Sequence, residues 1–358
     1  MLRTTITGWG KCVPPAVLSN SDLEKMTDTT DEWITGRTGI KERRITHVEN
    51  SDMAVVAGQH ALAAAGLDAT DMDSLIVATC TPDRILPSSA SFVQAKIGAV
   101  NAAALDINAA CSGFVYGLTI ANGLIASGGA TRVLLIGSEK LSVFFDIEDR
   151  STAVLFGDGA GAVVLEATEG REGIVSTTMG SDGTLAGALT VSGFGSESNV
   201  PPEIDRKIYM DGREIFRSAV VRMGEAAAKA VADAGWELED VDLLIPHQAN
   251  VRIIDATARR MKLPEEKVYV NIASYGNTSA ASIPIALDEA LDDGRIEPGS
   301  KVVFVAFGGG LTWAATAIEW GARTTRIGIS DARLSDTDLT GTELVMLRQR
   351  ERRARSGQ

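Results

Sequence analysis

Two stretches of this chain repeat each other at a fixed distance. Ala65-Gly66-Leu67-Asp68 and the residues through Val77 align with Ala234-Gly235-Trp236-Glu237 and the residues through Pro246, an offset of 169. In each copy an Ala-rich helical pattern stops at Gly, passes a short acidic link and enters an apolar run of the buried-strand type. The same offset carries Asn108 of NAACSG onto Asn277 of NTSAAS, and Arg132 of RVLLIG onto Lys301 of KVVFVA, without a gap. A register held through two strands and a small-residue turn predicts a duplicated α/β unit whose halves meet around a pseudo-twofold axis.

The apolar runs LIVAT, RVLLIG, DLLIP and KVVFVAF do not alternate with polar residues, so they predict strands buried on both faces. Helices must cover them, and MAVVAGQHALAAAG, FVYGLTIANGLIASG, IFRSAVVRMGEAAAKAVADAG and SIPIALDEALDDG carry that pattern. With 45% hydrophobic but only 5% aromatic residues, the core is filled mainly by Ala, Val, Leu and Ile, which suits helices packed closely on sheets. The expected division is residues 1–167, 168–322 and a tail, 323–358. The tail ends in the charge run RQRERRARSGQ, normally disordered or a single solvated helix. The stretch from Gly180 to Lys207, rich in Gly, Ser and Pro, reads as a long surface loop of the kind that often lines a binding site.

A net charge of -13 argues against general nucleic-acid binding. No apolar stretch reaches the length of a membrane span, and the first residues lack a basic segment followed by an apolar run, so the expectation is a soluble cytoplasmic protein. Cys12, Cys80 and Cys111 are too few, and too far from metal-binding spacing, for a disulfide framework or a zinc site. One local basic island stands out: Arg252, Arg259, Arg260 and Lys262 lie on the predicted helix VRIIDATARRMKL. It is either a solvated face or a dock for an anionic partner.

Cys111 follows an apolar stretch and precedes a helical pattern, which puts its sulfur at a helix N-terminus, where a thiolate is stabilised and the pKa falls. A lone cysteine is more often a buried structural residue. His247, in PHQAN, comes directly after DLLIP, at the strand end that opens onto the active-site crevice of α/β folds. Asn277 is the counterpart of Asn108, so the repeat sets it near Cys111, although Gly-Asn by itself is a common turn. Gly308-Gly309-Gly310 offers backbone N–H groups with no side chains in the way. Phe156-Gly157-Asp158-Gly159-Ala160-Gly161 is followed by a strand rather than a helix, so it reads as a tight turn near the site, and no nicotinamide is expected.

Taken together, DTTDEWITGRTGIKERRI, AACSGF, FGDGAGA, PHQANVRII, GNTSAAS and AFGGGLTW, in this order from about Leu2 to Trp320, resemble the β-ketoacyl-acyl-carrier-protein synthase III family, the initiating condensing enzymes of fatty acid synthesis. The resemblance implies a thiolase-like five-layered αβαβα fold and a homodimer. It implies a ping-pong reaction with no cofactor, in which Cys111 takes an acyl group from acyl-CoA and the acyl-enzyme condenses with malonyl-acyl-carrier-protein. His247 and Asn277 then serve the malonyl thioester, and the N–H groups of Cys111 and Gly309 form the oxyanion hole. Trp33 and Arg150 lie around the adenine of CoA, with Arg37 and Arg252 along its phosphates and pantetheine. Arg252, Arg259, Arg260 and Lys262 become the carrier-protein dock, and Leu86 and Phe156 line the acyl pocket.

Ala306-Phe307 stand where a biosynthetic thiolase has a second reactive cysteine, and Asn277 where an elongating enzyme has a second histidine. Both favour the initiating type. Leu86 replaces the Phe of many members. The tail after Gly321 is foreign to the family's basic pattern and is expected to be an addition without a catalytic part. The alternative reading is a synthase III-like acyltransferase or ketosynthase of secondary metabolism that uses another acceptor.

Overall fold

A computed structural model of the chain describes residues 2–201 and 204–356. One sheet is built from β1 (Arg3–Cys12), β2 (Ser74–Ala78), β3 (Ala103–Ile107), β4 (Arg132–Lys140) and β5 (Asp158–Thr168), in the spatial order β1-β5-β4-β2-β3. A second sheet holds β6 (Gly173–Ser181), β7 (Leu243–Pro246), β8 (Lys301–Gly308) and β9 (Thr312–Glu319), in the order β7-β8-β9-β6. The strands β2, β3 and β4 run parallel, as do β7 and β8, and the remaining pairings are antiparallel.

The larger helices are α1 (Asp31–Thr38), α2 (Asn50–Ala65), α3 (Ser89–Ile97), α4 (Gly113–Ala126), α5 (Gly212–Asp233), α6 (Val251–Arg260), α7 (Ser282–Asp292) and α8 (Gly341–Ser356). Residues of α4 and α7 share one apolar cluster with inner faces of both sheets, through Phe114, Leu118, Ile283 and Leu287 against Ile76, Leu135, Ile245 and Phe304. Separate clusters join α2 and α3 to the outer face of the first sheet and α5 and α6 to that of the second. The result is a five-layered αβαβα sandwich of thiolase type. The scarcity of large aromatics has a local reason in α2. A Cβ at Gly8 of β1 would stand 2.2 Å from the Ala61 carbonyl oxygen, and one at Gly10 would stand 2.6 Å from the Ala61 nitrogen. Helix and strand touch backbone to backbone there, and only Gly facing Ala allows it.

The repeat is structural. At the offset of 169, β1 falls on β6, β2 on β7, β4 on β8 and α4 on α7, while left-handed Gly66 (φ 69°) and Gly235 (φ 74°) follow matching helices. The expected boundary at 167/168 falls at the end of β5. One element breaks the symmetry: the counterpart of β3 is the short helix Ile272–Tyr275. After it, Asn277 N–H donates to the Leu155 carbonyl and Gly157 N–H to the Asn277 carbonyl, both at 2.9 Å, so this segment pairs with the first half instead of its own sheet.

The tail corrects the expectation of a disordered or solvated extension. Arg323 donates to the carbonyls of Thr7 (3.1 Å) and Ala65 (2.8 Å), Ile327 and Gly328 N–H cap the last carbonyls of α2, and Arg326 pairs with Asp288 at 2.8 Å. In α8, the residues Leu344, Val345, Arg348, Gln349 and Arg352 share one face. That face is docked: Leu344 and Val345 are buried, and Arg348 pairs with the buried Asp158 at 3.4 Å. The charge run hides an inward stripe.

Candidate active site

The nucleophile turn begins where β3 ends. Asn108 Oδ1 accepts from Ala110 N–H at 3.1 Å, Ala110 turns into the left-handed region (φ 47°), and Cys111 sits in the 3-10 turn Ala110–Ser112 that leads into α4. In the other half Asn277 Oδ1 accepts from Ser279 N–H at 2.8 Å, and Ser279 has φ 49°. The two turns are the same device. A non-glycine residue in this region costs about 1–3 kcal/mol, so strain is stored at both symmetry-related positions. Gly308 closes the turn from β8: a Cβ there would stand 2.6 Å from the Cys111 nitrogen.

His247 follows β7, its N–H bonded to the Val305 carbonyl at 2.8 Å. Its Nδ1 is 2.7 Å from Ser282 Oγ, and that hydroxyl accepts from Gln248 N–H at 3.3 Å. When the hydroxyl gives its proton to Nδ1, the ring proton sits on Nε2. Burial pushes the His247 pKa down to about 3, so the ring is neutral at pH 7. Because Asn277 Oδ1 is occupied by Ser279, its amide N–H groups are the ones left to face the cavity it lines with His247 and Cys111.

Two cavities meet at Cys111. One is a tunnel lined by His247, Asn277, Phe216, Asn250 and Ile253. The other, about 730 Å³, is lined by Ile85, Leu141, Phe144, Val191, Phe194 and Ile208, and Gly309 stands at its edge. Cys111 and Phe156 border both. Leu86 does not: it is 85% exposed, and Arg84 and Ile85 are the residues of that turn that reach the cavity.

The expectation of a lowered thiol pKa is corrected by burial. Burial pushes the Cys111 thiol up to about 12, against a hydrogen bond from Ser279, and the nearby Glu139 carboxylate adds to the rise. Glu139 is fully buried, accepting from Thr81 Oγ1 (2.7 Å), Ser279 Oγ (3.0 Å) and Cys80 N–H (3.2 Å), with its own pKa raised by burial. Sequence reading missed Glu139, Ser279 and Ser282. A carboxylate ending the apolar strand β4 was the available signal for the first.

Trp33 is flanked by Arg37 at 4.9 Å and Arg150 at 5.1 Å, and Arg150 also bonds the Asp28 carbonyl at 2.8 Å. Gly39, which ends α1, packs against Val251 at the start of α6. Arg252 lies over Phe216 at 5.5 Å, and Arg252, Arg259, Arg260 and Lys262 are all exposed on and just after α6. Among the described residues no three His, Cys, Asp or Glu side chains are arranged to hold a metal ion, and no helix is long and apolar enough to cross a membrane.

The family model described as 3-oxoacyl-[acyl-carrier-protein] synthase III matches residues 105–183, and its C-terminal companion matches residues 231–320. The β-ketoacyl-[acyl-carrier-protein] synthase III 2 of Vibrio cholerae is 49% identical over 342 residues, covering 95% of this chain and 94% of that protein. The synthase III of Roseiflexus castenholzii is 50% identical, covering 88% and 98%. The crystal structure of 3-oxoacyl-[acyl-carrier-protein] synthase III from Aquifex aeolicus superposes with a TM-score of 0.84 at 49% identity, over 88% of this chain and all of that one.

Proposed function

The chain belongs to the 3-oxoacyl-[acyl-carrier-protein] synthase III family, and from that premise we propose that Cys111, His247 and Asn277 carry out the family's reaction. The activity is the initiating condensation of fatty acid synthesis. The observation that supports these residue roles best is the position of Cys111 as the shared wall of two cavities, a polar-ended tunnel and an apolar chamber.

In the first half-reaction the Cys111 sulfur attacks the thioester carbonyl of acyl-CoA. The carbon–sulfur bond to CoA breaks, the Cys111 proton ends on the CoA sulfur, and the acyl chain enters the 730 Å³ chamber. The N–H groups of Cys111 and Gly309 receive the negative oxygen. In the second half, malonyl-acyl-carrier-protein enters the tunnel and loses carbon dioxide. The electron pair left behind forms an enolate whose oxygen takes hydrogen bonds from His247 Nε2 and the Asn277 amide; both donors are neutral, and neither must lose a proton. Attack of that carbon on the acyl-Cys111 carbonyl forms the new carbon–carbon bond and releases the sulfur, which regains a proton.

CoA recognition falls to Trp33 and Arg150 for the adenine and to Arg37 and Arg252 for phosphates and pantetheine. The exposed cations of α6 suit an acidic carrier protein, a partner that an enzyme of net charge -13 attracts only through a local patch. A homodimer formed along β3 fits its exposed edge. The test is incubation with a panel of acyl-CoA thioesters and intact-protein mass spectrometry. An acyl adduct on the wild type, absent in Cys111→Ala and discharged by malonyl-carrier-protein with release of carbon dioxide, is expected. No adduct at any chain length would overturn the assignment.

A further inference from the structure

Helix α8, at the far end of the chain, joins the apolar cluster behind one side of the acyl chamber. Leu344 and Val345, 3% and 1% exposed, lie in the same apolar cluster as Leu141, Phe144, Phe156 and Ile208, and those four line the chamber. One and two turns further on, α8 grips the segment that follows this wall. Gln349 Nε2, in a side chain 7% exposed, donates to the Phe145 carbonyl at 2.7 Å, and Arg352 stands 3.6 Å from the Asp146 carboxylate. Asp146 also receives Lys207 Nζ at 2.6 Å, next to the chamber residue Ile208. Phe144 meets Phe194, from the opposite wall, edge-on at 5.3 Å. Asp146 is therefore a clasp on which two chamber walls and α8 converge.

The wall needs such an external hold. Residues 145–149 lie outside any helix or strand, so no ladder of their own fixes them, and a segment of this kind takes its rigidity from contacts with its surroundings. We propose that the C-terminal segment is a strap whose helix α8 fixes the Leu141–Asp146 wall and thereby sets which acyl chains Cys111 accepts, with Gln349 and Arg352 as its positioning residues. The proposal rests on the assignment of Cys111 as the acylated residue.

The experiment presents the full chain, Gln349→Leu, Arg352→Gln and a truncation after Thr340 with an equimolar mixture of acetyl-, butyryl-, hexanoyl-, octanoyl- and decanoyl-CoA. Adducts are read by mass spectrometry, and kcat and KM are measured for each thioester. Each point variant removes one polar contact to the wall, so the preference between best and worst chain length should narrow roughly fivefold, the scale of one hydrogen bond. The change should lie in the acyl-CoA KM, with malonyl-carrier-protein turnover unchanged, and Arg352→Lys should restore the original profile. An unaltered chain-length profile in both point variants overturns the proposal, as does a uniform fall in kcat with the same ranking. The point variants decide the matter if the truncation does not fold. A full-length chain that takes no acyl group at all refutes the Cys111 assignment instead, and is read separately.

Discussion

At the scale of single residues, the second half-reaction as proposed depends on a histidine that stays neutral and donates from Nε2. Burial sets the His247 pKa near 3, below its ordinary 6.5. The His247 ring should therefore keep a constant ¹⁵N shift between pH 5 and 8, and a His247 shift that changes near pH 6.5 would sink this. The stability linked to this ring follows the same sign. The unfolded chain binds the proton first, so the contribution is complete above about pH 6.5 and is lost as the pH falls from there toward 3. Ser282 acts through the ring. Ser282→Ala should slow decarboxylation of malonyl-carrier-protein about tenfold, the scale of one hydrogen bond to a strongly polar group, while acylation of Cys111 proceeds as before. Ser282→Thr should restore the rate. Equal losses in both half-reactions would reduce Ser282 to a packing role. Replacing Asn277 by Ala removes the proposed enolate donor and should cost about 10²- to 10³-fold in the condensation alone, measured as carbon dioxide release.

At the scale of elements, the site exists because β4 passes directly beneath the second half's turn at Ser279–Ala281. A Cβ on Gly137 would stand 2.3 Å from the Ala280 carbonyl oxygen, and backbone cannot swing aside as a side chain can. Gly137→Ala should lower unfolding stability by about 1–3 kcal/mol in denaturant titration. Gly123 in α4, with nothing within 4 Å of its virtual Cβ, is the control, and Gly123→Ala should stabilise by about 0.5–1 kcal/mol. Equal effects of the two would remove the crossing as the cause. Elements of this kind were legible in the sequence where burial is uniform: β2, β4, β7 and β8 appear as unbroken apolar runs, and α2, α4, α5 and α7 as helical patterns near Gly. That Cys111, His247 and Asn277 line one cavity was legible through the repeat and strand-end logic. What escaped depends on contacts far along the chain. The segment Ile272–Tyr275 leaves its sheet to pair Asn277 with Leu155 and Gly157, and α8 presents buried Leu344, Val345 and Gln349 from within a charge run. Thiol acidity escaped for a similar reason: the helix end beside Cys111 is visible in sequence, but the depth of its burial is not.

At the scale of the whole molecule, the first sheet ends in β3, which has a partner on one side only. Its other edge has no strand partner among the described residues, and the surroundings are apolar: Leu105 is 37% exposed and nearby Val100 is 70% exposed. An exposed edge of this type is a template for another strand. A second copy of β3 laid antiparallel against the first would join two five-stranded sheets into one of ten and pair both edges, as closed twofold symmetry requires. The chamber is tied to this edge. Asp106 of β3 accepts from Ser89 and Ala90 N–H, both at 2.7 Å, which holds the turn bearing Ile85 and Leu86 beside it, and Ile85 lines the chamber. A partner seated there would cover Ile85 and Leu86, which are 71% and 85% exposed in the single chain, and would close the chamber toward solvent. Leu105→Lys puts a charge at the centre of the joint. Sedimentation velocity should find a dimer for the wild type and a monomer for Leu105→Lys, and the monomer should take up acyl groups with a raised KM because its chamber stays open to water. A Leu105→Lys protein that sediments as a dimer would move the interface elsewhere. A monomer with unchanged acyl-CoA KM would separate assembly from the chamber.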